Sequence, residues 1–273
     1  MDNTTWRLII NAPTEGAWNM AVDEAILEST ANHQQPTTLR LYSWNPYCLS
    51  LGYAQSISDI NENALAQNGW DVVRRPTGGR AILHADELTY CICGAKDAPH
   101  LRGSVLESYR HLSKGLMKGL QLISLPVTSE PNKRPSERIT DDPICFEVPS
   151  DYEIKMGGKK IIGSAQARKN EGVLQHGAIP LFGDITRITE VLRFDSEEAK
   201  GQAQTKMAAR ATTVAEHLAH RITWKEAAQA IMCGFSQELN IELVASRLSD
   251  QERKRAKKLL DEKYSHDDWT LRL

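Results

Sequence analysis

Short runs of alternating hydrophobic and polar residues fill the first two-thirds of the chain, and longer helical repeats fill the last third. Alternation with a period of two predicts strands, and spacings of three and four residues predict helices. Strands followed by helices favour an α+β or mixed α/β fold with one mainly antiparallel sheet. The predicted strands are 6–10, 39–44, 48–52, 71–75, 81–93, 152–156, 160–165 and 174–181. The predicted helices are 16–29, 60–66, 104–120, 224–239 and 250–263.

The first predicted helix is apolar on two sides, since Trp18 and Val22 lie on one face and Met20 and Leu27 on the other. A helix that is apolar all round is a buried one. Asp23 and Glu24 are the exceptions inside it. We expect these two carboxylates to anchor neighbouring backbone rather than to touch a substrate.

A length of 273 residues and a hydrophobic content of 41% suit a single large domain, 1–273, whose helical C-terminal segment covers about 185–273. The one long polar stretch, 127–143, contains three prolines and predicts a mobile loop. That loop leads directly to Cys145, so a functional role for the loop is expected.

The charge balance excludes a polyanion-binding protein, because 33 basic and 35 acidic residues leave a net charge of -2. We expect no nucleic-acid partner. We expect no signal peptide, because no basic segment followed by an apolar run precedes the first strand, and no run reaches the roughly 20 apolar residues of a membrane span. The five cysteines form no CxxC pair, which argues against a disulfide framework and a zinc site. These features predict a cytoplasmic protein with free thiols and no membrane association.

The densest candidate for chemistry is the segment Arg74-Arg75-Pro76-Thr77-Gly78-Gly79-Arg80. Two glycines after a strand allow backbone N–H groups to approach a ligand closely. The segment therefore suits a pocket for an anionic or carbonyl-bearing group. An ordinary hairpin turn with solvated arginines explains the same residues equally well.

Cys145 is a candidate nucleophile, although a single cysteine is more often a small buried apolar residue. Its thiolate would require a nearby cation, and Lys160, at a strand start, is the candidate. Lys159 would point to the opposite face of that strand. His84 and His176 are the histidines expected near the site, or structural residues held by hydrogen bonds. Ser164 and Gln166 could donate to a carbonyl, or could merely end a strand.

Taken in order, these segments resemble the superfamily of lipoate and biotin protein ligases and octanoyltransferases, over nearly the whole chain. The resemblance rests on four blocks, which are 19–24, 42–53, 74–90 and 160–177. It implies the fold of the biotin/lipoate protein ligase catalytic domain, a mainly antiparallel mixed sheet with packed helices.

Within the superfamily, the segment Pro143-Ile144-Cys145-Phe146 is similar to that of the monomeric cysteine-dependent octanoyltransferases. Arg80 stands where the ATP-dependent ligases usually have a third glycine. The resemblance implies that Cys145 is the acyl-accepting nucleophile and that Lys160 assists it. The chain departs from this subgroup at Ala85, where the subgroup has aspartate, and Asp86 follows one position later. The implied substrate-binding residues are Arg74, Thr77, Gly78, Gly79, Arg80, His84, Gly163, Ser164, Ala165, Gln175, His176 and Gly177.

The implied activity is transfer of an octanoyl group from an acyl carrier protein to a lysine of a lipoyl-domain protein, with no cofactor and no metal. Glycine cleavage H protein and a 2-oxoacid dehydrogenase subunit are expected acceptors. Basic residues should attract the acidic carrier at the pocket mouth, namely Arg74, Arg75, Arg80, Lys159 and Arg168. Three alternatives stay open: an ATP-dependent lipoate-protein ligase, an amidotransferase acting between lipoyl domains, and a non-catalytic binder of lipoyl domains.

Overall fold

The computed structural model describes residues 4–131 and 152–273. Twelve strands form three sheets among these residues. The strands are β1 (Thr4–Ile10), β2 (Thr38–Tyr42), β3 (Cys48–Leu51), β4 (Asp71–Arg74), β5 (Ile82–His84), β6 (Glu87–Ala95), β7 (Thr128–Pro131), β8 (Tyr152–Met156), β9 (Lys159–Lys160), β10 (Gly163–Lys169), β11 (Gly172–Pro180) and β12 (Ile241–Ala245).

Seven α-helices accompany the sheets in the same two ranges. They are α1 (Gly16–Ala31), α2 (Glu62–Asn68), α3 (Val105–Leu122), α4 (Glu197–Arg210), α5 (Trp224–Leu239), α6 (Asp250–Leu259) and α7 (Asp267–Thr270). A π-helical turn, Leu260–Tyr264, extends α6. Ser104 begins α3 with a capping box, in which its hydroxyl accepts from the Glu107 N–H and the Glu107 carboxylate accepts from the Ser104 N–H.

The main sheet has the order β10-β11-β6-β2-β1-β12. The pairs β10–β11, β11–β6 and β6–β2 are antiparallel, whereas β2–β1 and β1–β12 are parallel. The predicted mainly antiparallel mixed sheet is therefore confirmed. Two three-stranded sheets accompany it. The sheet β4-β3-β5 is called the small sheet, and the other has the order β7-β8-β9.

Helices cover both faces of the main sheet. Helix α1 packs on β6 and β11 and carries α6 on its outer side, while α3 and α5 pack against each other on the opposite face. Each face has its own apolar core, and a third core joins the small sheet to α4. Removing this apolar surface from water is the main force that holds the layers together.

Two predicted strands have wrong boundaries. The predicted strand 81–93 breaks at Ala85-Asp86, where Asp86 adopts φ +51° and the chain passes from the small sheet into the main sheet. The predicted strand 160–165 is likewise divided between β9 and β10, which belong to different sheets. Strand β12 was not predicted, because its last residues lie exposed at a sheet edge and follow no clean alternation.

Helix α1 is buried along almost its whole length, as predicted. The expectation that Asp23 and Glu24 anchor backbone is wrong, because both carboxylates bind side chains. Asp23 accepts hydrogen bonds from Arg40 and Tyr42 on β2. The partners of Glu24 are Lys169, Lys263 and Tyr264.

Candidate active site

The turn between β4 and β5, residues 75–81, is held from the inside by Arg75. Its guanidinium donates to the carbonyl oxygens of Gly78 at 2.8 Å and Arg80 at 2.7 Å, and to that of Ser50 at 2.8 Å. The carbonyl of Thr77 accepts from the N–H of Tyr53 at 2.9 Å. Hydrogen bonds from Arg75 and Tyr53 therefore hold three carbonyl groups of the turn in place, those of Thr77, Gly78 and Arg80.

The two glycines of the turn meet different surroundings. Gly79 has φ +91° and lies so close to Gly52 that a Cβ on Gly52 would fall 1.8 Å from the Gly79 oxygen. A Cβ on Gly78 would meet no atom within 4 Å, so the turn borders open space there. Within residues 4–131 and 152–273, the N–H groups of Gly78 and Gly79 have no hydrogen-bond acceptor. Such a pair of amides suits a developing oxyanion.

Beside the turn lies a narrow cleft between the main sheet and the small sheet. Its lining is mostly apolar, with Ser50, Arg75, Thr89 and two histidines as the polar exceptions. The lining residues are Met20, Tyr42, Trp44, Ser50, Arg75, Ile82, His84, Thr89, Ala165, His176 and Gly177. The cavity volume is about 10 Å³, about enough for one water molecule. An acyl chain of eight carbons would enter only after the cleft widens.

His84 closes one end of the cleft, where its ring stacks on Trp44 with centroids 4.0 Å apart. Its Nδ1 lies 2.8 Å from the Glu87 carboxylate and its Nε2 lies 2.7 Å from the Ser50 hydroxyl. The Trp44 N–H donates to Thr89, which in turn donates to Glu87. Both ring nitrogens of His84 are thus engaged, and the ring is held in a single orientation.

His176 enters the cleft from β11, in register with Ala165 on β10 and Cys91 on β6. Its Nε2 lies 2.6 Å from the Thr77 hydroxyl, and its Nδ1 lies 3.4 Å from the Asp23 carboxylate. The structure therefore brings together two predicted residues, Thr77 and His176, that are 99 positions apart.

Lys160 is buried, with 5% of its surface exposed. Its ammonium lies 3.3 Å from the Glu153 carboxylate on β8. A β-bridge joins Lys160 to Ala211, which packs in the same apolar core as Ala81 and Ile82 beside the turn. Lys159 is half-buried, so only Lys160 of the pair is directed into the protein, in agreement with the predicted alternation.

Arg74 and Arg75 do not place charge at a pocket mouth, and that expectation is wrong. Arg74 is fully buried and donates to the carbonyl oxygens of Gly52 at 2.8 Å, Gln55 at 2.6 Å and Thr270 at 3.1 Å. Burial lowers the pKa of Arg74, and its charge binds the C-terminal segment to β4.

Ser164 and Gln175 face the side of the main sheet opposite to the cleft. The Ser164 hydroxyl lies 2.6 Å from the Tyr90 hydroxyl, and Gln175 donates to the same oxygen at 3.1 Å. Gln166 binds Gln175 there, and Arg168 donates to the Leu101 carbonyl. Because side chains alternate along β10, Ala165 faces the cleft instead. None of these polar side chains faces the cleft.

Gly163 and Gly177 contribute a close approach between β10 and β11. A Cβ on Gly177 would lie 2.4 Å from the Gly163 oxygen and 2.7 Å from the Tyr90 ring. Arg80 lies half-buried on the turn, with its carbonyl bound to Arg75. Cys145 lies outside the described residues, so its role as nucleophile stays a prediction.

Asp86, beside the departure at Ala85, faces away from the cleft. Its carboxylate accepts from Tyr47 at 2.9 Å and from Arg187 at 3.0 Å. The side chain holds the bend between β5 and β6 and contacts no lining residue of the cleft.

A larger cavity of about 520 Å³ shares Trp44 and His84 with the cleft as a common wall. Its other lining residues include Ile10, Leu181, Phe182 and Trp224. Among the described residues, no group of three or more histidine, cysteine, aspartate or glutamate side chains could hold a metal ion. None of the described helices combines the length and the hydropathy of a bilayer span.

Sequence reasoning missed six lining residues, which are Met20, Tyr42, Trp44, Ser50, Ile82 and Thr89. All six lie in blocks that carried the resemblance, but nothing in their spacing distinguishes them from core residues. The one available signal for the network behind the cleft was Asp23, a carboxylate inside an otherwise apolar helix.

Comparison with known proteins agrees with this geometry. The family model of the lipoyl protein ligase A/B catalytic domain matches residues 15–236. The chain is 39% identical over 269 residues to octanoyltransferase LipM of Carboxydothermus hydrogenoformans, covering 98% of this chain and 99% of the relative. It is 35% identical over 274 residues to octanoyltransferase LipM of Bacillus subtilis, with the same coverage.

Solved structures share the fold at lower identity. A putative lipoate protein ligase from T. acidophilum with bound lipoic acid has a TM-score of 0.81 at 24% identity, covering 99% of this chain and 100% of that one. A lipoate-protein ligase A bound with ATP has a TM-score of 0.79 at 23% identity, covering 98% and 99%. From the matched domain and the full-length relatives, we conclude that the chain belongs to the family of the lipoyl protein ligase A/B catalytic domain.

Proposed function

We propose that this protein is an octanoyltransferase of lipoate biosynthesis, which moves an octanoyl group onto a lysine of a lipoyl-domain protein. The observation that carries the proposal is the set of octanoyltransferases that match end to end at 34–39% identity. The solved ligases, at 23–24% identity, support the fold alone.

Cys145 is the proposed nucleophile, and an acyl carrier protein is the proposed donor. The thiolate attacks the carbonyl carbon of the donor thioester, a new C–S bond forms, and the donor leaves as its own thiolate, which takes up a proton. The lysine amine of the acceptor then attacks the acyl-enzyme, an amide forms, and the Cys145 thiolate leaves. The proton of the amine passes to a base at the site. No ATP is required, because the acyl group arrives as a thioester.

Three described features support this chemistry. The N–H groups of Gly78 and Gly79 have no acceptor within the described residues and could donate to the oxyanion of each tetrahedral intermediate. A buried lysine ammonium next to a thiol favours the thiolate, which is the function proposed for Lys160. The apolar lining of the cleft suits an alkyl chain.

The proposed acceptor is a lipoyl-domain protein such as glycine cleavage H protein or a 2-oxoacid dehydrogenase subunit. The proposed compartment is the cytoplasm. All four cysteines of the described residues are free thiols, as a reducing compartment would keep them.

The test is intact-protein mass spectrometry after mixing with octanoyl-carrier protein in the absence of ATP. We expect an octanoyl adduct that hydroxylamine removes, in the wild type and in Cys233→Ala but not in Cys145→Ala. Cys233 is a suitable control because it is a half-exposed free cysteine on α5. An adduct that persists in Cys145→Ala would reject the nucleophile. Acylation only with free octanoate and ATP would reject the transferase in favour of a ligase.

A further inference from the structure

A line of buried side chains connects helix α1 to the glycine turn. Arg40 donates to the Asp23 carboxylate at 2.6 Å. The other Asp23 oxygen lies 3.4 Å from His176 Nδ1, and His176 Nε2 lies 2.6 Å from the Thr77 hydroxyl. Asp23 and Thr77 are both fully buried, with 0% of their surface exposed. The line ends one residue before the glycine pair, whose amides have no acceptor among the residues that the structure describes.

The far end of the line is itself fixed. Arg40 also donates to the side chain of Asn19 at 2.7 Å and to that of Asn11 at 2.7 Å. Asn19 in turn donates to the carbonyl oxygens of Thr14 and Ser43. Asp23 therefore has a rigid support, made of α1, β2 and the loops on either side of them.

The protons along the line can be placed from their partners. Asp23 is ionised, because Arg40 and His176 together outweigh the burial that would otherwise raise the pKa of the carboxyl. An ionised carboxylate can only accept, so His176 must carry its proton on Nδ1. Burial lowers the pKa of His176, which keeps the ring neutral near neutral pH. Its Nε2 is then an acceptor, and the Thr77 hydroxyl must donate to it.

We propose that Asp23 and His176 are positioning residues, which fix the Thr77 hydroxyl and thereby hold the Gly78 and Gly79 amides in place. As a statement about catalysis, this inference rests on the proposed octanoyl transfer. As a statement about the order of the turn, it does not depend on that function.

Burial argues against a nucleophilic role for Thr77, although an Asp–His–Thr line resembles a catalytic triad in outline. No surface of Thr77 is accessible to a thioester, and its carbonyl is bound to Tyr53. Thr77 is therefore held at its hydroxyl by His176 and at its carbonyl by Tyr53. Arg75 holds the next carbonyl of the turn at Gly78. Among these restraints, the bond to His176 is the one whose donor and acceptor depend on the protonation of the ring.

Protonation of His176 would turn its Nε2 into a donor, so the Thr77 hydroxyl would have to rotate and accept the hydrogen bond instead of donating it. The charged or titratable groups that face the ring are Asp23 from α1, Arg75 from the turn, His84 from β5 and Cys91 from β6. Arg75 and His84 both oppose a positive charge on the ring. The neutral ring, with the Thr77 hydroxyl as the donor, should therefore be the form present near neutral pH.

The test compares Thr77→Val with Thr77→Ser, which differ in the hydroxyl group at similar size. Amide hydrogen exchange of a peptide containing Gly78 and Gly79 reports the order of the turn without any substrate. We expect faster exchange in Thr77→Val than in the wild type and a return toward the wild-type rate in Thr77→Ser. His176→Gln should behave like Thr77→Val. Equal exchange in Thr77→Val and the wild type would overturn the proposal.

Single-turnover acylation by octanoyl-carrier protein adds the catalytic measurement. Displacing catalytic groups by about 1 Å can cost on the order of a hundredfold in rate. We expect Thr77→Val to lower the acylation rate about ten- to hundredfold with little change in KM, and Thr77→Ser to recover most of the rate. Equal losses in both variants, or an adduct mapped to Thr77, would overturn the positioning role.

The two proposals fail in different ways. A wild type that forms no octanoyl adduct contradicts the transferase, whereas the hydrogen-exchange result still decides whether His176 orders the turn. A wild type that acylates normally, together with a fully active Thr77→Val, contradicts the positioning role alone. If Thr77→Val does not fold, the hydrogen exchange of His176→Gln decides the same question.

Discussion

Asp23 and Glu24 are neighbours on one buried helix, yet they serve different parts of the molecule. Asp23 faces the main sheet and binds Arg40, Tyr42 and His176, which lead to the glycine turn. Glu24 faces the C-terminal region and binds Lys263 and Tyr264, with Lys169 as a third partner. Neighbouring residues of a helix point about 100° apart, so one can join a network that leads to the candidate site while the next joins a network that only stabilises the fold.

The largest difference is expected when a cationic partner is removed on each side. Arg40→Met would leave the Asp23 carboxylate buried without its ion pair, which typically costs about 3–5 kcal/mol. Lys263→Met should cost clearly less, because Glu24 keeps Lys169 and Tyr264. Urea denaturation of the two variants measures both losses. Equal losses would mean that the two carboxylates are equally well supported.

The second largest effect is the acid sensitivity contributed by Glu24. Burial would raise the pKa of this carboxyl, but its two lysines and its tyrosine outweigh burial and lower the pKa from 4.5 to about 2. Because the folded-state pKa is lowered, the stabilisation is present above about pH 4.5 and is lost as the pH falls toward 2. The shift corresponds to roughly 3 kcal/mol.

Glu24→Gln should therefore unfold at lower urea concentration at pH 7 and show a flatter dependence of stability between pH 5 and 2. The exposed carboxylate Glu242 on β12 provides a matched control. Glu242→Gln should leave the pH dependence nearly unchanged. An unchanged slope in Glu24→Gln would contradict the assignment.

The smallest effects should separate the two networks by function. Tyr42 donates to Asp23 at 2.8 Å and Tyr264 donates to Glu24 at 2.5 Å. Replacing either tyrosine by phenylalanine removes one hydrogen bond to a charged group, worth about 1.5–3 kcal/mol. Both variants should lose similar stability in urea. Only Tyr42→Phe should slow octanoyl transfer, since Tyr42 also lines the cleft. A slower Tyr264→Phe would mean that the networks are not separate.

Most elements could be predicted from the sequence, because periodicity depends on which face of an element is buried. Helix α5, for example, has the predicted bounds of 224–239. Two strand boundaries were wrong because the sequence does not show which sheet each strand joins. Nothing in the alternation of 81–93 shows that β5 and β6 join different sheets, since that break depends on the conformation of Asp86. The edge strand β12 was missed because its exposed last residues follow no clean alternation.

The candidate site was predicted in part. The glycine turn, His84 and His176 could be found because glycine pairs and histidines are rare and chemically distinctive. Ser50 and Trp44 could not be found, because their importance depends on His84, a partner that only the fold brings near. Conversely, Ser164 and Gln175 were expected to bind the substrate, but their side chains face the other side of the sheet. The direction in which each side chain points, rather than its residue type, separates Ser50 and Trp44 from Ser164 and Gln175.

The pairing of β1 with β12 has a consequence for the order in which the chain can fold. Residues 4–8 hydrogen-bond in register with residues 241–245, and buried Arg7 forms a two-pronged ion pair with Glu252. Contacts so distant in sequence raise the contact order and slow folding. During synthesis, β1 has an unpaired edge until almost the whole chain has left the ribosome, and such edges promote aggregation. Pairing of β12 with β1 therefore covers this edge of β1 late in synthesis.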